Sequence, residues 1–172
     1  MEEIMAIRNI RVYPDEILEK PCKTVKEVTD KLRILIEDMK ETMYHADGVG
    51  LAAPQVGILK RLAVVDVSED QSDPIVMINP EILETSGEQR GMEGCLSVPE
   101  KAGIVTRPNY VKVKAFDENM EERIIEGEEL LARALIHEIE HLEGHMYVEK
   151  AEDGKLYEND EVKEVMEREG LQ

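Results

Sequence analysis

Hydrophobic positions along the chain fall into two stretches with helical spacing, separated by shorter runs of extended character. Thr24 and Glu27 have the spacing of a capping box, and Val28, Leu32, Leu35, Met39 and Met43 follow at intervals of three and four residues. This predicts an amphipathic helix through about residue 44 whose apolar stripe lies over a sheet. A second stripe, Leu131, Leu135, Ile139 and Leu142, predicts a helix from about Glu128 to Glu143, with Gly144 placed to end it. Between them, residues 62–67 (LAVVDV) and 75–78 (IVMI) are short and β-branched, and YVKVKAF at 110–116 alternates Val111, Val113 and Ala115 with Lys112 and Lys114. These segments read as strands. Strands bracketed by helices without regular βαβ alternation predict an α+β fold, in which the second helix packs against strands from several parts of the chain.

A length of 172 residues with 42% hydrophobic content supports one domain with its own core and is short for two, so residues 1–172 are read as a single domain. One Phe, five Tyr and no Trp leave the core to Ile, Val, Leu and the nine Met. Residues 150–172 carry eight acidic and four basic side chains with a weak helical pattern through Val162 and Met166. We read them as an acidic C-terminal tail or surface helix. No apolar run approaches the roughly 20 residues that cross a bilayer, and MEEIMAIRNI lacks a basic, apolar leader, so a soluble cytoplasmic protein is expected. The net charge of −18 repels polyanions, which argues against direct nucleic-acid binding. Two cysteines are too few for a disulfide framework: Cys22 reads as a buried inert thiol, Cys95 as a metal-ligand or catalytic candidate.

The second helix contains HEIEH at 137–141, which puts His137 and His141 one turn apart on one face, where both imidazoles reach one ion. An ion held this way keeps a position open for water and lowers that water's pKa towards about 7, and Glu138 is the adjacent carboxylate able to take the proton. The third ligand could come from downstream, where His145, Glu149 and later carboxylates lie, or from upstream, where EGCLS at 93–97 offers the Cys95 thiolate among small neighbours. The segment GVGLAAPQ at 48–55 is either a simple turn or a strip whose backbone meets an extended peptide while Gln55 donates to a carbonyl oxygen.

Taken in order, GVGLAAPQ, EGCLS and HEIEH resemble the three signature motifs of the peptide deformylase family, and Tyr13, Pro14, Asp15, Leu18 and HLEG at 141–144 extend the likeness over most of the chain. The resemblance implies antiparallel sheets around a central helix that carries HEIEH. It implies that Cys95, His137 and His141 bind the metal, that Glu138 is the general acid and base, and that Gln55 and the Leu96 backbone N–H stabilise the oxyanion. Gly50 falls at a backbone contact to substrate, and Val49, Leu130, Ala134 and His137 fall around the methionine pocket. The implied ion is ferrous iron in the cell, with zinc, nickel or cobalt as substitutes in a purified sample. The implied substrates are the N-formylmethionyl peptides of nascent chains, acted on by a monomer. Two positions depart from the usual third motif: Ile136 stands where Gln is expected and Glu140 where Asp is expected. Arg107 falls where the family has an arginine that pairs with acidic groups behind the site, and we expect Glu140 to reach it. An inactive deformylase-like binding protein and a zincin-type metallopeptidase are the alternatives.

Overall fold

The computed structural model describes residues 6–172; residues 1–5, part of the start considered above as a leader, lie outside the described residues. Helix α1 spans Asp30–His45, and strands β1 (Gly50–Ala52), β2 (Leu62–Val65) and β3 (Ile75–Ser86) follow it. Strands β4 (Gln89–Cys95), β5 (Val98–Arg107), β6 (Tyr110–Phe116) and β7 (Glu122–Glu128) come next, then α2 (Glu129–Leu142), β8 (Tyr157–Glu158) and α3 (Asn159–Glu169). Two sheets form, ordered β1-β2-β3-β6-β7 and β4-β5-β8, with every strand pair antiparallel.

The position of β2 explains its uninterrupted apolar sequence. Successive side chains of a strand point to opposite faces, and here both faces are covered. Leu62 and Val64 join Leu35, Ile36, Met39 and Met43 of α1, whereas Ala63 and Val65 join Leu135, Ile139 and Leu142 of α2. The alternation in β6 has the opposite cause. Val111, Val113 and Ala115 enter the α2 core, while Lys112 and Lys114 remain half-exposed. A third apolar cluster, Leu18, Val98, Val105, Met146 and Tyr147, packs with β5 of the smaller sheet.

The first helix begins later than its sequence suggests. Thr24 does not cap it; Thr29 does, its side chain accepting from the Leu32 N–H. Asn79 is the reason, because its side-chain amide accepts from the Val25 N–H and donates to the Val25 carbonyl, both at 2.8 Å. Those bonds tie the residue 25 backbone N–H and carbonyl to a β3 side chain and so withdraw both from helical hydrogen bonding, and the helix starts beyond it. Helix α2 ends in a Schellman motif, with His145 N–H donating to the Glu140 carbonyl, Gly144 N–H donating to the His141 carbonyl, and Gly144 at φ +85°.

Residues 150–172 are tied to the body. Strand β8 pairs with Lys101 and Ala102 of β5, Val165 of α3 is buried, and Arg90 of β4 binds both Glu152 and Glu169. No helix among the described residues is long and apolar enough to cross a membrane.

The turn between β6 and β7 makes one contribution to acid sensitivity. Backbone N–H groups of Glu121 and Asn119 donate to Asp117, and Arg123 pairs with it at 2.8 Å. The Glu121 bond, with Asn119 and Arg123 behind it, holds this carboxyl below its ordinary value despite burial. A depressed carboxylate adds stability that is present above its unfolded pKa, about 3.9, and is lost as pH falls through the folded value. Thermal scans of Asp117→Asn should therefore show a smaller loss of Tm between pH 5 and 3 than wild type; parallel curves would remove Asp117 from the acid response.

Candidate metal centre

Strand β4 and helix α2 bring the expected ligands together. On β4, side chains two apart share a face, so Glu93 and Cys95 both point at α2. On α2, Arg133, His137 and His141 follow one another at four-residue steps along one face. The Cys95 Sγ lies 3.3 Å from His141 Nε2, and donor atoms of Cys95, His137 and His141 all fall within 4.8 Å of one another. Bonds of 2.0–2.3 Å to a tetrahedral ion separate donors by roughly 3.4–3.6 Å, so this cluster fits a metal with little adjustment. His145 takes no part, being exposed and paired with Glu149.

The Glu93 carboxylate sets the His137 ring. At 6% exposure it accepts from His137 Nδ1 at 2.6 Å, which leaves Nε2 for an ion. Burial opposes its ionisation, but hydrogen bonds from Arg107 and His137 outweigh that and hold its pKa well below the usual carboxylate range. Behind it, Arg107 is wholly buried and divides its guanidinium: Nε and Nη2 serve Glu93, while Nη1 pairs with Glu140. Glu140 also binds Lys150 Nζ at 3.0 Å. Ile136 packs in the core against the larger sheet.

Gln55 is fixed at both ends. The Ala52 N–H donates to its Oε1 at 2.9 Å, which directs Nε2 towards the site, 3.0 Å from Ser97 Oγ and 3.5 Å from Cys95 Sγ. Glu138 is 4% exposed, with Oε2 3.9 Å from His137 Nε2 and Oε1 buried without a protein partner among the described residues. Burial pushes its carboxyl up to about 7, a shift that the nearby His137 partly offsets. Gly50 makes room for it, since a Cβ at that position would overlap the Glu138 carboxylate. That is the close approach the glycine-rich segment allows.

A cleft of about 480 Å³ opens onto this group. Val49, Gly50, Gln55, Cys95, Leu96, Leu130, Ala134, His137 and Glu138 all line it; His141, Arg107 and Glu140 are not among its lining residues. Val49 and Leu130, 43% and 51% exposed, give the wall an apolar surface for an incoming side chain to cover. Four further residues were not singled out as site residues from the sequence: Glu93, Arg133, Ser97 and Tyr147, whose ring stacks on His137 with centroids 5.9 Å apart. The same-face positions of Glu93 relative to Cys95, and of Arg133 relative to His137, were available signals. Ser97 and Tyr147 gave none.

A donor set of this kind, open to a cleft and accompanied by a carboxylate able to move a proton, places the protein among metal-dependent hydrolases. Within that class the chain belongs to the polypeptide deformylase family, whose sequence profile matches residues 7–156. A peptide deformylase of Lachnoclostridium phytofermentans is 62% identical over 154 residues, covering 90% of this chain and 94% of that protein. One from Agathobacter rectalis is 64% identical over 154 residues, 90% of this chain and 95% of the other. Among solved structures, a peptide deformylase from Legionella pneumophila superposes with a TM-score of 0.84 at 42% identity, covering 96% of each chain. The enzyme from Synechococcus elongatus, in complex with actinonin, superposes at 0.82 with 37% identity over 99% of this chain and 96% of that one.

Proposed function

We propose that this single-domain protein, built about α2, hydrolyses the formyl group from N-formylmethionyl peptides of nascent chains in the cytoplasm, releasing formate and a free amine. The observation that carries the reading is the convergence of Cys95, His137 and His141 beside a buried Glu138 whose Oε1 has no protein partner among the described residues. Those three residues hold the ion, which is ferrous iron in the cell, with zinc, nickel or cobalt replacing it in purified material.

When bound, the ion polarises the formyl oxygen and acidifies a water molecule. The chain supplies the remaining parts. Val49, Leu130 and Ala134 take the methionine side chain, and Gly50 meets the peptide backbone. Gln55 Nε2 donates to Ser97 Oγ and lies 3.5 Å from Cys95 Sγ, and the N–H directed at the sulfur is the one that turns to the formyl oxygen as negative charge builds there. The Leu96 backbone N–H is the second donor. Glu138 takes a proton from water as the C–O bond forms and passes it to the nitrogen as the C–N bond breaks, so that formate and amine leave. Arg107, Glu140 and Glu93 hold the ligands from behind.

The test is release of formate from a formyl-methionyl peptide by ferrous- or cobalt-loaded protein under anaerobic conditions, with the acetyl analogue as control. We expect turnover of the first and little of the second, because a methyl group must fit where the formyl group has only hydrogen. Absence of formate from fully loaded protein would overturn the assignment. Losing one oxyanion donor typically costs roughly 10²–10³ in rate. Gln55→Ala should lose about that much in kcat, and a loss under tenfold would remove Gln55 from that role.

A further inference from the structure

We propose that Arg133 is a positioning residue for the metal ligands, acting through Glu93 to hold the strand that carries Cys95 against the helix that carries the histidines. The inference rests on the metal centre proposed above. The difficulty it addresses is geometric: Cys95 lies on β4 of the smaller sheet, whereas His137 and His141 lie on α2, which packs against the larger one. Nothing in either element alone sets the distance between them, so the centre needs ties across that boundary.

Glu93 is one such tie, and its four hydrogen bonds divide evenly, two from Arg107 of β5 and two from Arg133 and His137 of α2. Oε1 accepts from Arg107 Nε at 2.9 Å and from Arg133 Nη1 at 2.8 Å; Oε2 accepts from Arg107 Nη2 at 2.6 Å and from His137 Nδ1 at 2.6 Å. Arg107 belongs to β5, next to β4 in the same sheet, so its bonds to Glu93 stay within that sheet. It is also shared with Glu140. Arg133 belongs to α2 and uses two of its guanidinium nitrogens on the other side of the boundary, Nη1 on Glu93 and on the Val105 carbonyl at 3.0 Å and Nε on Gln89 Oε1 at 3.3 Å, while Nη2 is buried without a partner among the described residues. One planar fork thus ties the metal-binding helix to both strands of the β4-β5 pair, a task that needs several donors in a fixed plane.

The packing around the guanidinium agrees with a fixed position. Arg133 is buried, and a Cβ at Gly91 would stand 3.1 Å from Nη2, so the fork fits against β4 where that strand lacks a side chain. One helical turn separates Arg133 from His137. Both therefore hold Glu93 from the same face of α2, Arg133 on one oxygen and His137 on the other. Removing Arg133 leaves Glu93 on its Arg107 fork but takes away the bonds from α2 to Oε1, Val105 and Gln89, so that His137 alone ties the helix to this carboxylate and the His137 ring can shift relative to Cys95.

The experiment uses the full chain loaded with cobalt(II), whose visible absorption reports the coordination geometry and the thiolate bond. Cobalt release to excess chelator is followed in wild type, Arg133→Met and Arg133→Lys. Loss of groups that orient metal ligands commonly weakens metal binding 10–100-fold. We expect Arg133→Met to release cobalt about that much faster with an altered spectrum, and Arg133→Lys, which keeps charge but lacks the fork, to release it several-fold faster. A methionine variant that folds and matches wild type in both readouts would overturn the proposal. Should that variant not fold, the lysine variant decides by the same two readouts. Wild-type protein that takes up no cobalt would instead defeat the metal centre itself, and wild-type protein that holds cobalt but releases no formate would defeat only the assigned reaction.

Discussion

Replacing Glu138 with glutamine is expected to leave a protein that folds and holds its metal but releases formate 10²–10⁴-fold more slowly, the usual contribution of a positioned acid and base. Glutamine matches the carboxylate in size and fits beside Gly50, where a Cβ would already overlap the native carboxylate, so the cleft should keep its shape. What disappears is the ability to take a proton and return it. The metal should stay, because the ligand cluster consists of Cys95, His137 and His141 and does not include Glu138. Stability should move the other way. Burial pushes the Glu138 carboxyl up to about 7, so in the metal-free protein its ionised form disfavours the folded state at any pH above its ordinary value. A neutral amide escapes that cost, and metal-free Glu138→Gln should melt no lower than wild type at pH 8. Opposite changes in activity and stability are what a group retained for chemistry produces. Turnover within tenfold of wild type at equal metal content would show that another group moves the proton.

Parts of the structure were legible because they follow from local periodicity. Both long helices announce themselves through apolar stripes whose partners are the two faces of the larger sheet, and β2 and β6 through their β-branched content. Strands β4 and β7 carry little such signal. Residues 89–95 (QRGMEGC) and 122–128 (ERIIEGE) mix glycine and charge, and they are extended because neighbouring strands pair with them along their length. The outer half of β3 is mostly exposed and is held by β6 in the same way. Tertiary contact also overrode a plausible local signal at Thr24, where Asn79, 54 residues from Val25, fixes the backbone.

The chemistry divides along the same line. The two histidines and Glu138 sit in one compact motif and could be proposed from the residue types alone, whereas the choice of Cys95 over His145 and Glu149, and the role of Gly50, rest on the family resemblance. The supporting groups come from four separate elements and become a network only on folding: Glu93 from β4, Arg107 from β5, Arg133 and Glu140 from α2, and Lys150 beyond it. The Glu140 carboxylate, one methylene longer than the aspartate usual at its position, pairs here with Arg107 and Lys150 together. Its neighbour Ile136 makes no polar contact and instead adds apolar area to the core. Neither departure alters the donors that surround His137.

Substituting Cys95 should damage metal binding more than any supporting residue can, since loss of groups behind the ligands typically costs 10–100-fold and Cys95 is itself a proposed ligand. The thiolate gives the centre a soft, charged donor; a serine hydroxyl in its place is hard and neutral, and alanine offers nothing. The supporting contacts cannot compensate. Gln55 Nε2 and the Ser97 N–H, 3.5 and 3.4 Å from Sγ, are donors that suit a negatively charged sulfur and do not bind cations. A 100-fold loss of affinity removes about 2.7 kcal/mol of metal-derived stabilisation under saturating conditions. For a chain of this length that corresponds to a fall of roughly 5–10 °C in the Tm increment produced by adding metal. Cys95→Ser and Cys95→Ala should show that fall with near wild-type Tm when metal-free, because Cys95 is only partly buried and the loss lies in the ion and not in the core. His145→Ala, exposed and paired only with Glu149, should keep the full increment. Metal analysis and paired thermal scans read both quantities. If Cys95→Ala kept stoichiometric metal and the whole increment while His145→Ala lost them, the third ligand would lie beyond the helix, and the reaction assigned to this cleft would have to be that of a peptidase.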